Sequence, residues 1–269
     1  MTATPQLHTY NLSPGIVAFS TTRHGGYSDG AYGEFNINEY CGDAADAVEK
    51  NRTALAAELG IPSNRIIMPH QTHGTEVRQV AADFLLLPDN VRRMILDGVD
   101  AVMTDQKNVC VGVSTADCIP VLLHDAEHGA VCAVHAGWRG TLARIVMRTI
   151  AEMRLAYASD PSRLTAVIGP GISLDAFEVG DEVYEQFAAA NFDMEGISRQ
   201  MKSDCQPQAY KWHIDLPECN RRQLLQAGLA AENIQQSGIC TYSNPDRYFS
   251  ARRLGVKSGR IFTAIMMQE

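Results

Sequence analysis

Four apolar segments follow one another between residues 99 and 134, and they constrain the fold more than any other feature of the chain. Residues 99–103, 109–114, 119–123 and 129–134 are rich in valine and other apolar side chains and are separated by polar turns, the pattern of successive β-strands. Further strands are expected at 16–21, 65–68, 76–80, 164–168 and 260–267. Helices are expected at 181–190, at 217–227 and at 44–59, where Val48, Leu55 and Leu59 share a face and Gly60 with Pro62 gives a stop. Leu142, Ile145, Val146, Ile150 and Met153 mark one face of another helix, just beyond the last of the four central strands. Strands and helices alternate with no low-complexity linker and no repeat of fixed period, which predicts an α/β protein. With 269 residues and 45% hydrophobic composition, residues 1–269 can bury a large core as a single domain.

The ends of these strands carry the polar residues of interest. The run Val131, Cys132, Ala133, Val134 ends on His135, which opens HAGWRG. His73 lies in HQTHG, between two short strands, and Cys118 follows the strand ending near Ser114. Rigid strands aim side chains from their ends into a shared crevice, where α/β proteins gather their sites. The separations, 45 residues from His73 to Cys118 and 17 from Cys118 to His135, match no compact zinc finger but suit a site assembled from separate loops. Spacing alone leaves three readings open. Two imidazoles and a thiolate can hold zinc with a fourth position free for water. Cys118 can instead be a nucleophile with His135 as its base. Or Cys118 is a small buried hydrophobe and the histidines are satisfied polar groups.

Charge and cysteine usage narrow the partners. A formal net charge of −8 argues against duplex nucleic acid and anionic membrane surfaces and favours a small-molecule substrate. Seven cysteines with no CxxC pair are not a disulfide framework. The N-terminal stretch lacks a basic region followed by an apolar run, and the apolar clusters elsewhere are too short to span a bilayer. A cytoplasmic protein with reduced thiols is expected.

QTHG at 71–74, ADCIP at 116–120, HAGWRG at 135–140, and GPGI with FEVG between 169 and 180 together resemble the ordered motifs of the bacterial laccase-domain family. Its members have been called polyphenol oxidoreductases, peptidoglycan-editing factors and purine nucleoside phosphorylases. FNINEYCGD and VEKNR between 35 and 52, YFSARR at 248–253 and GR at 259–260 extend the resemblance over nearly the whole chain. The resemblance implies an αββα sandwich of mixed sheets flanked by helices. It implies His73, Cys118 and His135 as ligands of one zinc per chain, with copper as an alternative metal. It also implies phosphorolysis of adenosine, inosine, guanosine and methylthioadenosine, with deamination of adenosine, by a monomer or homodimer. The fold is shared with a toxin deamidase that uses a cysteine and a histidine, so a cysteine amidase or peptidoglycan-precursor editor built on Cys118 and His135 stays open.

Under this resemblance Cys118, His135 and Asp117 are the expected catalytic groups, Asp117 as a base or as the partner that orients a ligand histidine. Arg139 and Arg52 are expected to contact phosphate or ribose, and Asn38 and Gln71 to hydrogen-bond the nucleoside. A cation at a helix N-terminus opposes the dipole, which favours a bound anion beside Arg139. Two departures stand out: Gly171 where the family often has cysteine, and Ala251 where it often has an aromatic residue. Trp138 reads as core, His70 as structural, and His124 with His128 as a solvated turn. A multicopper oxidase presents imidazoles in HxH pairs. This chain has eight histidines and no HxH, which argues against a multicopper cluster while leaving a copper-dependent polyphenol oxidase with a single copper open.

Overall fold

Successive residues of a strand face opposite sides of its sheet, so an unbroken apolar run needs apolar partners on both faces. The computed structural model, which describes residues 4–203 and 208–269, shows what each face meets. In strand Ile119–Asp125, Val121 and Leu123 pack with Ile145, Val146, Ile150 and Met153 of helix Ile145–Tyr157, whereas Leu122 packs with Val111, Val113 and Ile265. Strand Ala130–Ala136 divides in the same way: Cys132 and Val134 face the helices, and Val131 and Ala133 face the second sheet. In strand Ile261–Met267, Ile265 and Met267 share that inter-sheet core, while Phe262, Ala264 and Met266 pack on Leu55, Ala56 and Leu59 of helix Ala45–Leu59. The layers are therefore helix, sheet, sheet, helix, and the αββα expectation holds. Truncating an inward residue such as Leu122 to alanine should cost about 2–5 kcal/mol.

One sheet has six strands in the order Ile234–Gln236, Thr165–Ile168, Ile119–Asp125, Ala130–Ala136, Ala101–Thr104 and Val77–Gln79. Its middle pairs are antiparallel, with Val121 opposite Val134 and Val134 opposite Ala101, whereas the outer pair runs parallel with Val77 beside Ala101. The facing sheet has five strands, in the order Leu7–Tyr10, Ile16–Thr21, Ile261–Met267, Cys110–Thr115 and Ile66–Ile67. A third sheet of three strands lies outside the main layers, with Tyr210–Ile214 between Glu178–Val179 and Ser198–Lys202. No helix among the described residues is long and apolar enough to cross a membrane.

Three sequence expectations change. The helix after His135 is two helices, Trp138–Leu142 and Ile145–Tyr157, because Arg144 adopts a left-handed φ of 60° and breaks the backbone ladder. His124 is not in a solvated turn. It is buried within strand Ile119–Asp125, and the turn begins at Asp125, whose carboxylate accepts from the backbone N–H groups of Glu127 and His128. The strands Leu7–Tyr10, Ser198–Lys202, Tyr210–Ile214 and Ile234–Gln236 lack a continuous apolar run and escape that signal. Cys205 lies outside the described residues; the other six cysteines are free thiols.

Candidate metal centre

The antiparallel order of the six-stranded sheet brings alternate strand starts and ends to one edge. Cys118 immediately precedes strand Ile119–Asp125, and His135 is the penultimate residue of its neighbour Ala130–Ala136. On the other side of His135, Asp100 immediately precedes strand Ala101–Thr104, and its carbonyl accepts from the His135 N–H at 2.8 Å. The loop entering the next strand, Val77–Gln79, carries His73. Four neighbouring strands thus deliver four chemically active side chains to one place. The ligand atoms of His73, Cys118 and His135 all lie within 4.8 Å of one another, and they are the only such group of metal-ligating side chains among the described residues. The two imidazole rings meet edge to face at 4.9 Å.

Sequence reasoning missed Asp100, and this carboxylate organises the site. It is fully buried, and its Oδ1 lies 2.7 Å from His135 Nδ1. The same oxygen accepts from the His73 N–H at 3.0 Å, and Oδ2 accepts from the N–H groups of Gly74 at 2.7 Å and Thr72 at 3.3 Å. One carboxylate therefore fixes the ring orientation of one histidine and the backbone of the other. His73 itself has a left-handed φ of 63°, a conformation that these bonds hold in place. With His135 Nδ1 committed to Asp100, Nε2 is left to face the thiol, the usual arrangement of a ligand histidine backed by a carboxylate.

The thiol and the buried imidazole shift each other. Burial alone would raise Cys118, but the charge and hydrogen bonding of His135, with a smaller contribution from His73, bring it down to about 6. Burial alone would lower His135, but the Cys118 charge and the Asp100 hydrogen bond outweigh it and raise the imidazole. A thiolate is what a metal requires. Space for an ion comes from Gly137, where a Cβ would lie 3.0 Å from Cys118 Sγ, 3.0 Å from His73 Cδ2 and 3.7 Å from His135 Nε2. Two nitrogens and one sulfur, convergent and with room beside them, fit zinc with one position left open, and they fit copper as well.

The remaining expected site residues are distributed differently. Asp117 does not orient a ligand histidine. Its oxygens accept from Thr241 Oγ1 and from the Arg252 N–H, each at 2.7 Å, so it fixes the turn before Cys118, where its own φ is 87°. Asn38 and Gln71 do converge, but on Ser114: Asn38 Nδ2 donates to Ser114 Oγ at 2.5 Å, and the Gln71 amide exchanges bonds of 2.7 and 2.8 Å with the Ser114 backbone. Ile66–Ile67 pairs only with Cys110 and Val111, so Gln71 satisfies backbone groups that this short strand does not reach. Arg139 is exposed, stacks over Trp138 with its guanidinium 4.2 Å from the ring centre, and pairs with no carboxylate among the described residues. Arg52 is placed apart, donating to the carbonyls of Ile66 at 3.0 Å and Ser63 at 3.5 Å. Gly171 packs on the site from behind: a Cβ there would meet Ile119 Cδ1 at 2.4 Å and the Asp117 and Cys118 carbonyls at 3.1 and 3.3 Å. Ala251 begins helix Ala251–Leu254 beside the buried Tyr248 and Phe249.

The multi-copper polyphenol oxidoreductase laccase family matches residues 17–268. A purine nucleoside phosphorylase of Bacteroides thetaiotaomicron is 43% identical over 254 residues, covering 94% of this chain and 92% of its own. Adenosine deaminase RL5, from an unknown prokaryotic organism, is 42% identical over 253 residues, covering 93% and 94% respectively. Among solved structures, YlmD from Geobacillus stearothermophilus superposes with a TM-score of 0.87 at 28% identity, over 100% of this chain and 99% of that one.

Proposed function

The chain belongs to the multi-copper polyphenol oxidoreductase laccase family, and on that premise we propose that it is a zinc-dependent purine nucleoside phosphorylase that also deaminates adenosine. The observation that carries this reading is the convergence of His73, Cys118 and His135 in a chain more than 40% identical to relatives with those two names. Adenosine, inosine, guanosine and methylthioadenosine are the proposed substrates. Zinc held by these three side chains would supply Lewis acidity, making an oxygen nucleophile available at neutral pH.

The chain's own groups divide the remaining work. Asp100 keeps His135 in one tautomer and His73 in register. Gly137 keeps the approach to the three ligands clear. In phosphorolysis a phosphate oxygen bonds to C1′, the C1′–N9 bond breaks and the departing base takes up a proton; Arg139, exposed and without a carboxylate partner among the described residues, is the proposed contact for the phosphate. In deamination water adds at the purine C6 and ammonia leaves, a reaction with no need of that contact. The chain has no HxH pair, the pattern in which a multicopper oxidase presents its imidazoles, so oxidation of phenols by copper-loaded protein would not define the native reaction.

A second reading rests on the Cys118 thiol, which His135 makes acidic enough to attack an amide directly. Turnover of adenosine with and without phosphate, on zinc-loaded, metal-stripped and Cys118→Ala protein, separates the two. The zinc reading expects both reactions to vanish on stripping and return with zinc. Full turnover by verified metal-free protein would overturn it in favour of the thiolate. Arg139→Ala should keep its metal and lose phosphorolysis more than deamination.

A further inference from the structure

Away from the metal centre, a cleft of about 430 Å³ opens between helix Ala45–Leu59 and helix Asp89–Ile95, and three arginines line it. Three acids, Glu39, Glu49 and Asp89, line it too, but only two of the arginines pair with them directly. Arg93 pairs with Glu39 at 3.2 Å, and Arg92 pairs through Nη2 with Asp89 and through Nη1 with the Asn64 carbonyl at 3.1 Å. That leaves Arg92 Nε buried with no acceptor. Arg52 has only backbone carbonyls as acceptors and no carboxylate within ion-pair distance among the described residues. The remaining acid of the cleft, Glu49, is exposed at the rim. A largely buried guanidinium with no carboxylate in direct contact is costly, and a bound anion would reduce that cost. Burial holds Arg52 below its ordinary pKa, and the charges of Glu39 and Glu49 only partly oppose it.

We propose that this cleft is a second binding site, for a phosphate-bearing small molecule whose anionic group sits against Arg52 and Arg92. The other walls include Val48, Met68, Phe84 and Leu96, an apolar surface suited to the body of an organic phosphate. Its size lies within the range of about 300–1,000 Å³ typical of small-molecule sites. None of the lining residues is a ligand of the metal centre. The two places are nevertheless linked, because Tyr40 on the cleft wall stacks at 4.2 Å on His70, in the same loop as His73. Arg52, which the sequence motifs assign to substrate phosphate at the metal centre, thereby acquires a different anion.

Calorimetric titration of the full chain with inorganic phosphate, with adenosine 5′-monophosphate and with adenosine tests the site. Both phosphates should bind. Arg52→Met should weaken them about tenfold or more, as expected for loss of a charge-assisted contact. Because Arg52 also supports the Ile66 carbonyl, Ala45→Trp provides an independent block of the cleft and should weaken binding without touching that bond. Arg139→Ala should leave binding in the cleft intact, which separates this site from the phosphate bound for phosphorolysis. Equal affinity for the two phosphates would identify free phosphate as the ligand; tighter binding of the nucleotide would identify a phosphate monoester. No binding of either at millimolar concentration would overturn the proposal. So would binding that survives both cleft variants and is lost in Arg139→Ala.

Discussion

Two imidazoles face one thiol, and the chain holds them by opposite means. His135 is buried in a strand, opposite Pro120 on one side and with its N–H bonded to the Asp100 carbonyl on the other, and its ring bonds to the same residue's buried carboxylate. His73 is exposed on a loop, and only its backbone touches that carboxylate. The sheet therefore supplies a half of the site held through ring and backbone, and the loop supplies a half held through its backbone alone. The strand sets one side of the geometry; on the other side the loop backbone is fixed while the His73 ring stays open to solvent.

Removing the two rings in turn is the strongest way to break this comparison. Both His135→Ala and His73→Ala should abolish stoichiometric metal, as elemental analysis would show. Their metal-free stabilities should differ. His135→Ala leaves Asp100 buried without its main cationic partner and should cost about 3 kcal/mol, whereas His73→Ala removes an exposed ring and should cost less than about 1 kcal/mol. Urea unfolding of the stripped proteins measures both, and equal losses would mean that the two halves are not distinct.

Asp100→Asn is the next largest perturbation, because it weakens both halves while keeping the volume. A loss of about 10–100-fold in metal affinity is expected. Asp117→Asn, beside Cys118 but bonded to Thr241 and Arg252, should leave metal affinity unchanged. Competition with a chelator would distinguish them, and equal effects would remove Asp100 from its organising role.

The smallest effect is electrostatic and sharpens the comparison rather than breaking it. In metal-free protein the rate of Cys118 alkylation should follow the thiolate. It should be full at pH 7 and fall as the pH drops through about 6, because the depressed pKa means that acid restores the unreactive thiol. His135→Ala should move that midpoint up further than His73→Ala, since His135 makes the larger contribution.

What the sequence made legible follows from contact range. The four valine-rich segments announce themselves because burial on both faces leaves few polar positions in them, Asp100 and Ser114 being the exceptions, and the convergence of His73, Cys118 and His135 follows once their strands are ordered. The three-stranded outer sheet stayed hidden because SRQMK and YKWHI keep polar residues on both faces. Asp100 stayed hidden for another reason. An aspartate before an apolar run looks like any turn residue, and its partner His135 is 35 positions away. Arg52 looked like a substrate contact beside a motif. Only packing reveals that its guanidinium turns toward the Ile66 carbonyl.

The side chain of Gln71 has a mechanical consequence. It binds Ser114 in the five-stranded sheet, while Thr72, His73 and Gly74 bind Asp100 at the edge of the six-stranded sheet. Residues 71–74 therefore bridge the two sheets like a strut. If one sheet slides on the other, His73 is pulled relative to the Cys118–His135 pair, and the bite of the three donors changes. An ion seated among them would act as a rivet against that slip, so that binding at one edge would stiffen the contact between the two sheets.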